Sequence, residues 1–135
     1  MIIMLSSDLC RLVIRDQPTA LLGRLQEWSV NGDELVISAI TYAELIAGAL
    51  LTQNQSSHIA LVEAFCERLE DVVPWNRDAV DSYTTIQLQA MRDGKSLNMN
   101  DAMVAAHALS LGARLLTHNG KPFVAIPELD LEIWQ

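Results

Sequence analysis

Short, almost continuously apolar segments alternate along this chain with longer segments of helical periodicity. We predict β-strands at residues 2–5, 34–40 and 113–117, each rich in β-branched or aliphatic side chains. Unbroken apolar runs of this length are typical of strands that are buried on both faces of a parallel sheet. The alternation therefore predicts an α/β fold with a central parallel sheet, helices on both faces and right-handed crossovers, and residues 129–134 as a last edge strand.

Four helices are predicted between these strands from the spacing of apolar residues and from capping signals. Serine and asparagine cap the first turn of a helix, and glycine permits the left-handed conformation past its end. The predicted signals are Asn31-Gly32 after the first helix, Ser56-Ser57 before the second, Asn76 and Gly94 around the third, and Asn100 and Gly112 around the fourth.

Length and composition predict a single compact domain over residues 1–135. Half of the 135 residues are hydrophobic, enough to bury one core, and no linker, repeat or low-complexity segment divides the chain. The apolar start is too short for a signal peptide and is soon followed by Asp8 and Arg11. No later segment reaches membrane-spanning length, so we expect a cytoplasmic protein without a membrane role.

The charge balance limits how the protein can meet nucleic acid. Seventeen acidic against nine basic residues give a net charge of −8, which argues against binding of nucleic acid through overall charge. A protein of this charge can still bind a nucleic-acid phosphate through divalent cations held in an acidic pocket, with basic residues around its edge. Cys10 and Cys66 lack the spacing of metal ligands, and we expect them to be buried, reduced thiols.

Three carboxylates fall where predicted strands end and helices begin. Asp8 follows the first strand, Glu44 opens the helix after the second, and Asp101 opens the helix before residues 113–117. Such positions share one edge of a parallel sheet, where ligands bind. Ordinary helix-start chemistry also explains them, because Thr41 and Glu44 fit a capping box and Asp101 is favoured by the helix dipole. Position alone leaves both interpretations open.

Longer stretches of the chain carry a family resemblance. They are "MIIML" before a polar turn, "ISAITYAELIAGA", and "NMNDAMVAAHALSLGARLLTHNGKPFVAIPELDLEIW". In order, they provide an acid after a strand-ending Ile-Thr, an Asn-Asp that opens an Ala-rich helix with His, a Thr-x-Asn turn, a Phe, a Pro and a terminal Trp. Essentially from end to end, the chain resembles PIN-domain proteins, in particular the VapC toxins of bacterial toxin–antitoxin pairs.

The resemblance implies a PIN-like fold and a Mg²⁺- or Mn²⁺-dependent endoribonuclease that cleaves RNA when released from a VapB-like antitoxin. It implies that Glu44 and Asp101 are catalytic metal ligands and that Asn119 is a further, neutral ligand. Mg²⁺ prefers hard oxygen ligands, and a bound metal ion activates water and neutralises phosphate, so no protein nucleophile is required. Thr117 is placed to hydrogen-bond the same group as Asn119, but as a β-branched residue that ends a strand we expect it to be structural, and we expect His107 to be a packed or helix-surface residue.

The resemblance fails at the end of the first strand. The family pattern Met-Leu-Asp-Thr-Asn places its Asp, a central metal ligand, at Ser6, its Thr at Ser7 and its Asn at Asp8. Serine is a weak neutral ligand, so metal binding is weakened. In an extended strand Asp8 faces the same side as Ser6 but lies about 6–7 Å further along. Either a shifted turn makes Asp8 a catalytic metal ligand, or these residues cap a short helix through Val13 and the site is weakened or lost.

The sequence also suggests which residues contact other molecules. The resemblance implies a homodimer, or a heteromer with an antitoxin whose C-terminal segment lies over hydrophobic grooves and places an Arg in the site. Trp28 and Leu50-Leu51 are candidates for such contacts, although we expect each of them to pack in the core. We expect four basic residues to lie around the pocket and contact RNA phosphates. Alternatively, they are solvated surface charges without a role in binding. These basic residues are Arg11, Arg15, Lys95 and Lys121.

Two other functions compete with the ribonuclease toxin. One is a PIN-fold protein that keeps its antitoxin-binding surface but has weakened or lost catalysis. The other is a phosphoacceptor signalling domain, whose last-strand lysine is similar to Lys121 in "KPF". That domain requires an acceptor Asp at the end of a central strand, and "ELVISAIT" offers none.

Overall fold

All residues 1–135 are described by the structure, a computed structural model with five strands and six helices. None of the helices combines the length and apolar character that crossing a membrane requires. The strands are β1 (Ile2–Leu5), β2 (Glu34–Ser38), β3 (Asp71–Val73), β4 (Arg114–Thr117) and β5 (Leu131–Ile133). The helices are α1 (Ser7–Asp16), α2 (Thr19–Val30), α3 (Ala39–Leu50), α4 (Gln55–Glu67), α5 (Arg77–Arg92) and α6 (Met99–Leu111).

The strands form one sheet in the order β3-β2-β1-β4-β5, and every neighbouring pair is parallel. β1 lies at the centre, where Met4 is opposite Val36 on one side and Leu115 on the other. Parallel neighbours require crossover connections, which the helices supply. The predicted α/β fold with a central parallel sheet is confirmed, with β5 as an edge strand.

Side chains of the sheet alternate between two apolar cores, one on each face. Ile3, Leu5 and Ile37 pack among side chains of α1 to α4, whereas Met4 and Leu115 pack among side chains of α5 and α6. Because helices cover both faces, neither face of these strands has to be polar. This arrangement explains the unbroken apolar runs in the sequence.

The junction between β2 and α3 differs from the prediction. β2 ends at Ser38, whose hydroxyl oxygen accepts a hydrogen bond from the Ile40 N–H at 3.1 Å, and α3 begins at Ala39. The predicted strand ran on to Ile40 because Ala39 and Ile40 prolong its apolar run. Thr41 is a buried residue in the first turn and not an N-cap, so the predicted capping box with Glu44 is wrong.

Two other helices start earlier than predicted. α6 is capped by Asn98, which accepts a hydrogen bond at 3.1 Å from an N–H of the first turn, and not by Asn100. Asn98 has the extended backbone that an N-cap requires, whereas Asn100 already lies within the helix. α4 begins directly after Asn54, ahead of the start predicted behind residues 56–57.

The remaining helix signals are confirmed. Asn76 caps α5 by accepting a hydrogen bond from the Ala79 N–H at 3.2 Å. Gly112 ends α6 in the left-handed region with a φ of 63°. A helix does begin at the polar residues after β1, as one of the two alternatives predicted, and it continues past Val13 to Asp16, but Ser6 at its N-cap makes no side-chain capping hydrogen bond.

The burial of a few apolar residues differs from expectation. Cys10 is buried and Cys66 only partly so, and both thiols are free. Burial raises the pKa of the Cys10 thiol well above its ordinary value, which keeps it protonated and unreactive. Trp28 packs in the core as expected, but Leu50 and Leu51 end α3 on the surface and are 48% and 88% exposed.

Candidate active site

The carboxyl ends of β1 and β4 and the helices α1, α3 and α6 surround one cavity of about 190 Å³. Every predicted metal ligand faces it, although these residues lie far apart in the sequence. The cavity is therefore the predicted site at the strand-end edge of the sheet. Its lining residues are Ser6, Ser7, Asp8, Arg11, Glu44, Asp101, Asn119, Pro122 and Phe123.

Asp8 lies beside Ser6, and not two strand positions away. The strand stops at Leu5, Ser6 occupies the N-cap of α1 with extended backbone, and the helix begins at Ser7. This sharp change of direction lets the Ser6 hydroxyl donate a hydrogen bond to Asp8 Oδ1. The predicted displacement of about 6–7 Å assumed an extended chain through residue 8 and is wrong for that reason.

The Asp8 carboxylate is held by several donors. Its Oδ1 accepts hydrogen bonds from the Leu9 N–H at 2.8 Å and the Thr117 hydroxyl at 2.9 Å, and its Oδ2 accepts one from the Asn119 N–H at 2.7 Å. Burial raises the pKa of Asp8, but the hydrogen bonds from Ser6, Asn119, Thr117 and Leu9 outweigh it and hold that pKa below its usual value. Asp8 is thus a fixed anion at the end of β1.

Glu44 is oriented by Ser7, a residue that the sequence patterns did not single out. The Ser7 hydroxyl donates to Glu44 Oε1 at 2.8 Å and lies 3.3 Å from the Thr41 hydroxyl. The family pattern has a threonine at this position, and serine keeps its hydroxyl group. That shared hydroxyl is the sequence feature from which the role of Ser7 could have been predicted. The contact ties the start of α1 to α3 and fixes one carboxylate at the cavity wall.

Asp101 is in the first turn of α6 and is half-buried. Burial raises its pKa, and the negative charges of Glu44 and Asp8 raise it further, whereas the guanidinium of Arg11 lowers it. The negative charges of Glu44 and Asp8 are therefore felt at Asp101 across the cavity.

Oxygen atoms of this lining suit a hard divalent cation. Carboxylate, amide and hydroxyl oxygens are the ligands that Mg²⁺ and Mn²⁺ prefer, and a cation would offset the repulsion that raises the pKa of Asp101. No three His, Cys, Asp or Glu side chains of the protein are close enough together to hold one ion. The carboxylates of Asp8, Glu44 and Asp101 surround the cavity and do not converge on a point.

Asn119 belongs to a turn that follows β4. Its side-chain Oδ1 accepts a hydrogen bond from the Lys121 N–H at 3.2 Å, and its carbonyl oxygen lies 3.1 Å from the Thr117 hydroxyl oxygen, whose hydrogen is donated to Asp8. The next residue, Gly120, packs against β5 so closely that a Cβ there would overlap Ile133 and lie 2.7 Å from its Cγ1. A side chain at position 120 would therefore require the Ile133 side chain to move.

The four predicted basic residues occupy different surfaces. Arg11 lines the acidic cavity itself. Lys95 and Lys121 line a neighbouring cavity of about 480 Å³ that shares Asp101, Asn119 and Pro122 with it. Arg15 lies instead in a groove between α1, α3 and α4, and its guanidinium forms an exposed ion pair with the Asp16 carboxylate at 2.9 Å.

Known proteins match this chain from end to end. The PIN-domain family model matches residues 11–129. Ribonuclease VapC1 of Haemophilus influenzae (strain R2866) is 36% identical over 99% of this chain and 98% of its own length. This chain belongs to the VapC family of PIN-domain proteins. A second VapC relative, the tRNA(fMet)-specific endonuclease VapC of Shigella flexneri, is 30% identical over 97% of this chain and 96% of its own length.

Solved VapBC structures share the fold of this VapC-family chain. VapBC2 from Rickettsia felis, bound to a DNA fragment from their promoter, matches with a TM-score of 0.96 at 27% identity over 100% of both chains. VapBC-1 from nontypeable Haemophilus influenzae matches with a TM-score of 0.90 at 35% identity over 99% of this chain and 98% of that chain. The predicted PIN-like fold is confirmed, and the phosphoacceptor alternative is excluded.

Proposed function

We propose that this protein is the toxin of a VapB–VapC pair in the cytoplasm, and an endoribonuclease that uses Mg²⁺ or Mn²⁺ to hydrolyse RNA phosphodiester bonds. The observation that carries the proposal is the contact between Ser6 and Asp8, which holds a carboxylate where the family pattern has its first Asp. The names of the VapC relatives, a ribonuclease and a tRNA-specific endonuclease, support the same reaction class.

An exchange of two residues keeps the number of carboxylates unchanged. The family pattern has Asp at the position of Ser6 and Asn at the position of Asp8, whereas this chain has the charge at the second position. Because the Ser6 hydroxyl touches Asp8 Oδ1, a carboxylate from either position reaches nearly the same point. Asp8, Glu44 and Asp101 thus supply three anionic oxygen groups to the cavity.

These three carboxylates and the side chain of Asn119 are the groups on which a metal ion would draw, with bound waters completing its shell, since no three acidic side chains lie within reach of one ion. A divalent cation bound there supplies a water of lowered pKa and neutralises charge on the phosphate. Asp8 Oδ2 accepts one hydrogen bond, from the Asn119 N–H, so one lone pair stays available to a ligand. Ser7 holds Glu44 in place, and this fixed orientation reduces the reorganisation that binding requires.

We assign the binding of RNA phosphates to the basic residues beside the three carboxylates. Arg11 lies in the acidic cavity, and Lys95 and Lys121 lie in the cavity next to it, so an RNA backbone crossing both meets a positive charge on each side of the carboxylates. Arg15 pairs with Asp16 in a different groove and is the weakest of the four candidates.

The antitoxin is assigned to the groove between α1, α3 and α4. The groove has a volume of about 330 Å³ and reaches the acidic cavity, because Arg11 and Glu44 line both. An apolar antitoxin segment fits its aliphatic floor, and a basic side chain at its end would meet Glu44. Its apolar lining consists of Ile14, Leu45, Ala49, Leu61 and Val62.

Calorimetric titration with Mn²⁺ and cleavage of a labelled RNA panel that includes tRNA test the proposal. We expect the parent protein to bind Mn²⁺ and cleave RNA. Asp8→Asn, Glu44→Gln and Asp101→Asn should each weaken Mn²⁺ binding by at least about tenfold. Asp81→Asn, an exposed acid on α5, is the matched control and should behave like the parent.

A second candidate function is a VapC homologue that binds an antitoxin without cleaving RNA. It is favoured by the neutral Ser6 and by the absence of three acidic side chains within reach of one ion. A parent protein that neither binds Mn²⁺ nor cleaves RNA, yet forms a stable complex with its antitoxin, would establish this function and overturn the first.

A further inference from the structure

His107 links the two helices that carry Glu44 and Asp101. It lies in α6, and its fully buried ring places Nδ1 2.8 Å from the hydroxyl oxygen of Ser38. Ser38 is also fully buried, and its Oγ caps α3 through the Ile40 N–H at 3.1 Å. A single side-chain hydrogen bond thus connects α6 to the start of α3.

Ser38 is the donor and His107 Nδ1 the acceptor in this hydrogen bond. Ser38 Oγ already accepts from the Ile40 N–H, so its own hydrogen is free for donation to His107 Nδ1. Burial lowers the pKa of His107, although the carbonyl of Pro74 opposes this, so the ring is neutral near pH 7. The proton then lies on Nε2, which is near the Pro74 carbonyl but makes no hydrogen bond of ordinary geometry.

Packing alone does not account for an imidazole here. Its neighbours on α6 are small and apolar, and its Nε2 makes no hydrogen bond of ordinary geometry that would offset the burial of a polar ring. The alanine-rich helix offers no other buried polar side chain that reaches Ser38. The buried residues around His107 on α6 are Ala102, Val104, Ala105, Ala106 and Ala108.

We propose that His107 is a positioning residue for the acidic cavity. By binding Ser38 it fixes the start of α3 relative to α6, and thereby fixes the spacing of Glu44 and Asp101 across the site. The inference rests on the proposed metal-dependent ribonuclease, because that function gives the spacing its importance. His107 itself touches neither metal nor RNA.

Two variants of His107 separate positioning from packing. His107→Asn keeps a polar group that can bond Ser38, whereas His107→Leu removes it, and both lower stability. We expect His107→Leu to weaken calorimetric Mn²⁺ binding about tenfold and His107→Asn to restore it close to the parent value. Leu25→Ala, in the other core, is the control for lost stability and should leave Mn²⁺ affinity unchanged.

Amide hydrogen exchange on the metal-free protein gives a second readout. We expect faster exchange at the Ile40 amide and in the first turn of α6 for His107→Leu, and not for His107→Asn or Leu25→Ala. Equal Mn²⁺ affinities and equal exchange for the two His107 variants would overturn the positioning role. A parent that binds no Mn²⁺ while the exchange pattern appears would overturn the proposed function and leave the link between the helices supported.

Discussion

Replacing Ser6 with aspartate tests whether Asp8 occupies the place of the missing carboxylate. The Ser6 hydroxyl already contacts Asp8 Oδ1, and Ser6 is 2% exposed. Ser6→Asp therefore sets two carboxylates side by side where little water reaches them. Two unit charges about 4 Å apart repel by about 4 kcal/mol at an effective dielectric constant of about 20. We expect the free energy of unfolding at pH 7 to fall by up to about 4 kcal/mol, a large part of a small domain's stability.

This loss depends on pH and has a defined rescue. Crowding raises the pKa of one carboxyl in the folded protein above its unfolded value, so the penalty grows as the pH rises and fades in acid. Adding Asp8→Asn removes one of the two carboxyl groups, so this repulsion does not arise at any pH. The double variant Ser6→Asp/Asp8→Asn should therefore regain most of the lost stability and retain Mn²⁺ binding through the carboxylate at position 6.

Urea unfolding followed by circular dichroism, in acid and at pH 7, measures these free energies, and calorimetry measures Mn²⁺ binding. Ser57→Asp, which adds a charge on the exposed side of α4, is the control and should change stability by less than about 0.5 kcal/mol. If Ser6→Asp is as stable as the parent, or if adding Asp8→Asn recovers nothing, the two side chains do not share one place and the reasoning fails.

Three further substitutions probe contacts around the cavity. Asp101→Asn should raise the melting temperature at pH 7 but not below pH 3.8, because burial and neighbouring acids raise the folded pKa of Asp101; scanning calorimetry at both pH values checks this. Thr117→Val removes a donor to Asp8, whose folded pKa is lowered, so urea unfolding should show a loss of about 1.5–3 kcal/mol at neutral pH that shrinks in acid. Gly120→Ala should cost about 1–3 kcal/mol through overlap with Ile133, and Ile133→Ala should recover it in thermal unfolding.

The sheet could be predicted from sequence because its strands are covered on both faces. Ile3 and Met4 point to opposite cores, so apolar residues are required at consecutive positions and the run is easy to detect. The same property hid the end of β2, because Ala39 and Ile40 continue the apolar run into α3. β3 escaped detection since it has only three residues, and its first, Asp71, is exposed.

The sequence predicted which acidic residues line the cavity, but not how their side chains are arranged. Asp8, Glu44 and Asp101 follow from their places at strand ends and helix starts, a property of local sequence. The approach of Asp8 to Ser6 depends on the strand ending at Leu5, and periodicity does not fix such a boundary to one residue. The bond between Ser7 and Glu44 joins residues 37 apart, which only the folded chain brings together.

The contact between positions 6 and 8 constrains how such a site changes during descent. If a carboxylate at either position serves the cavity, as proposed, then two at once repel each other and none leaves the cavity short of an anion. A lineage that moves the charge from position 6 to Asp8 by single steps must pass through one of these handicapped intermediates. Among homologues the two positions should therefore vary together, with one of them acidic and the other neutral.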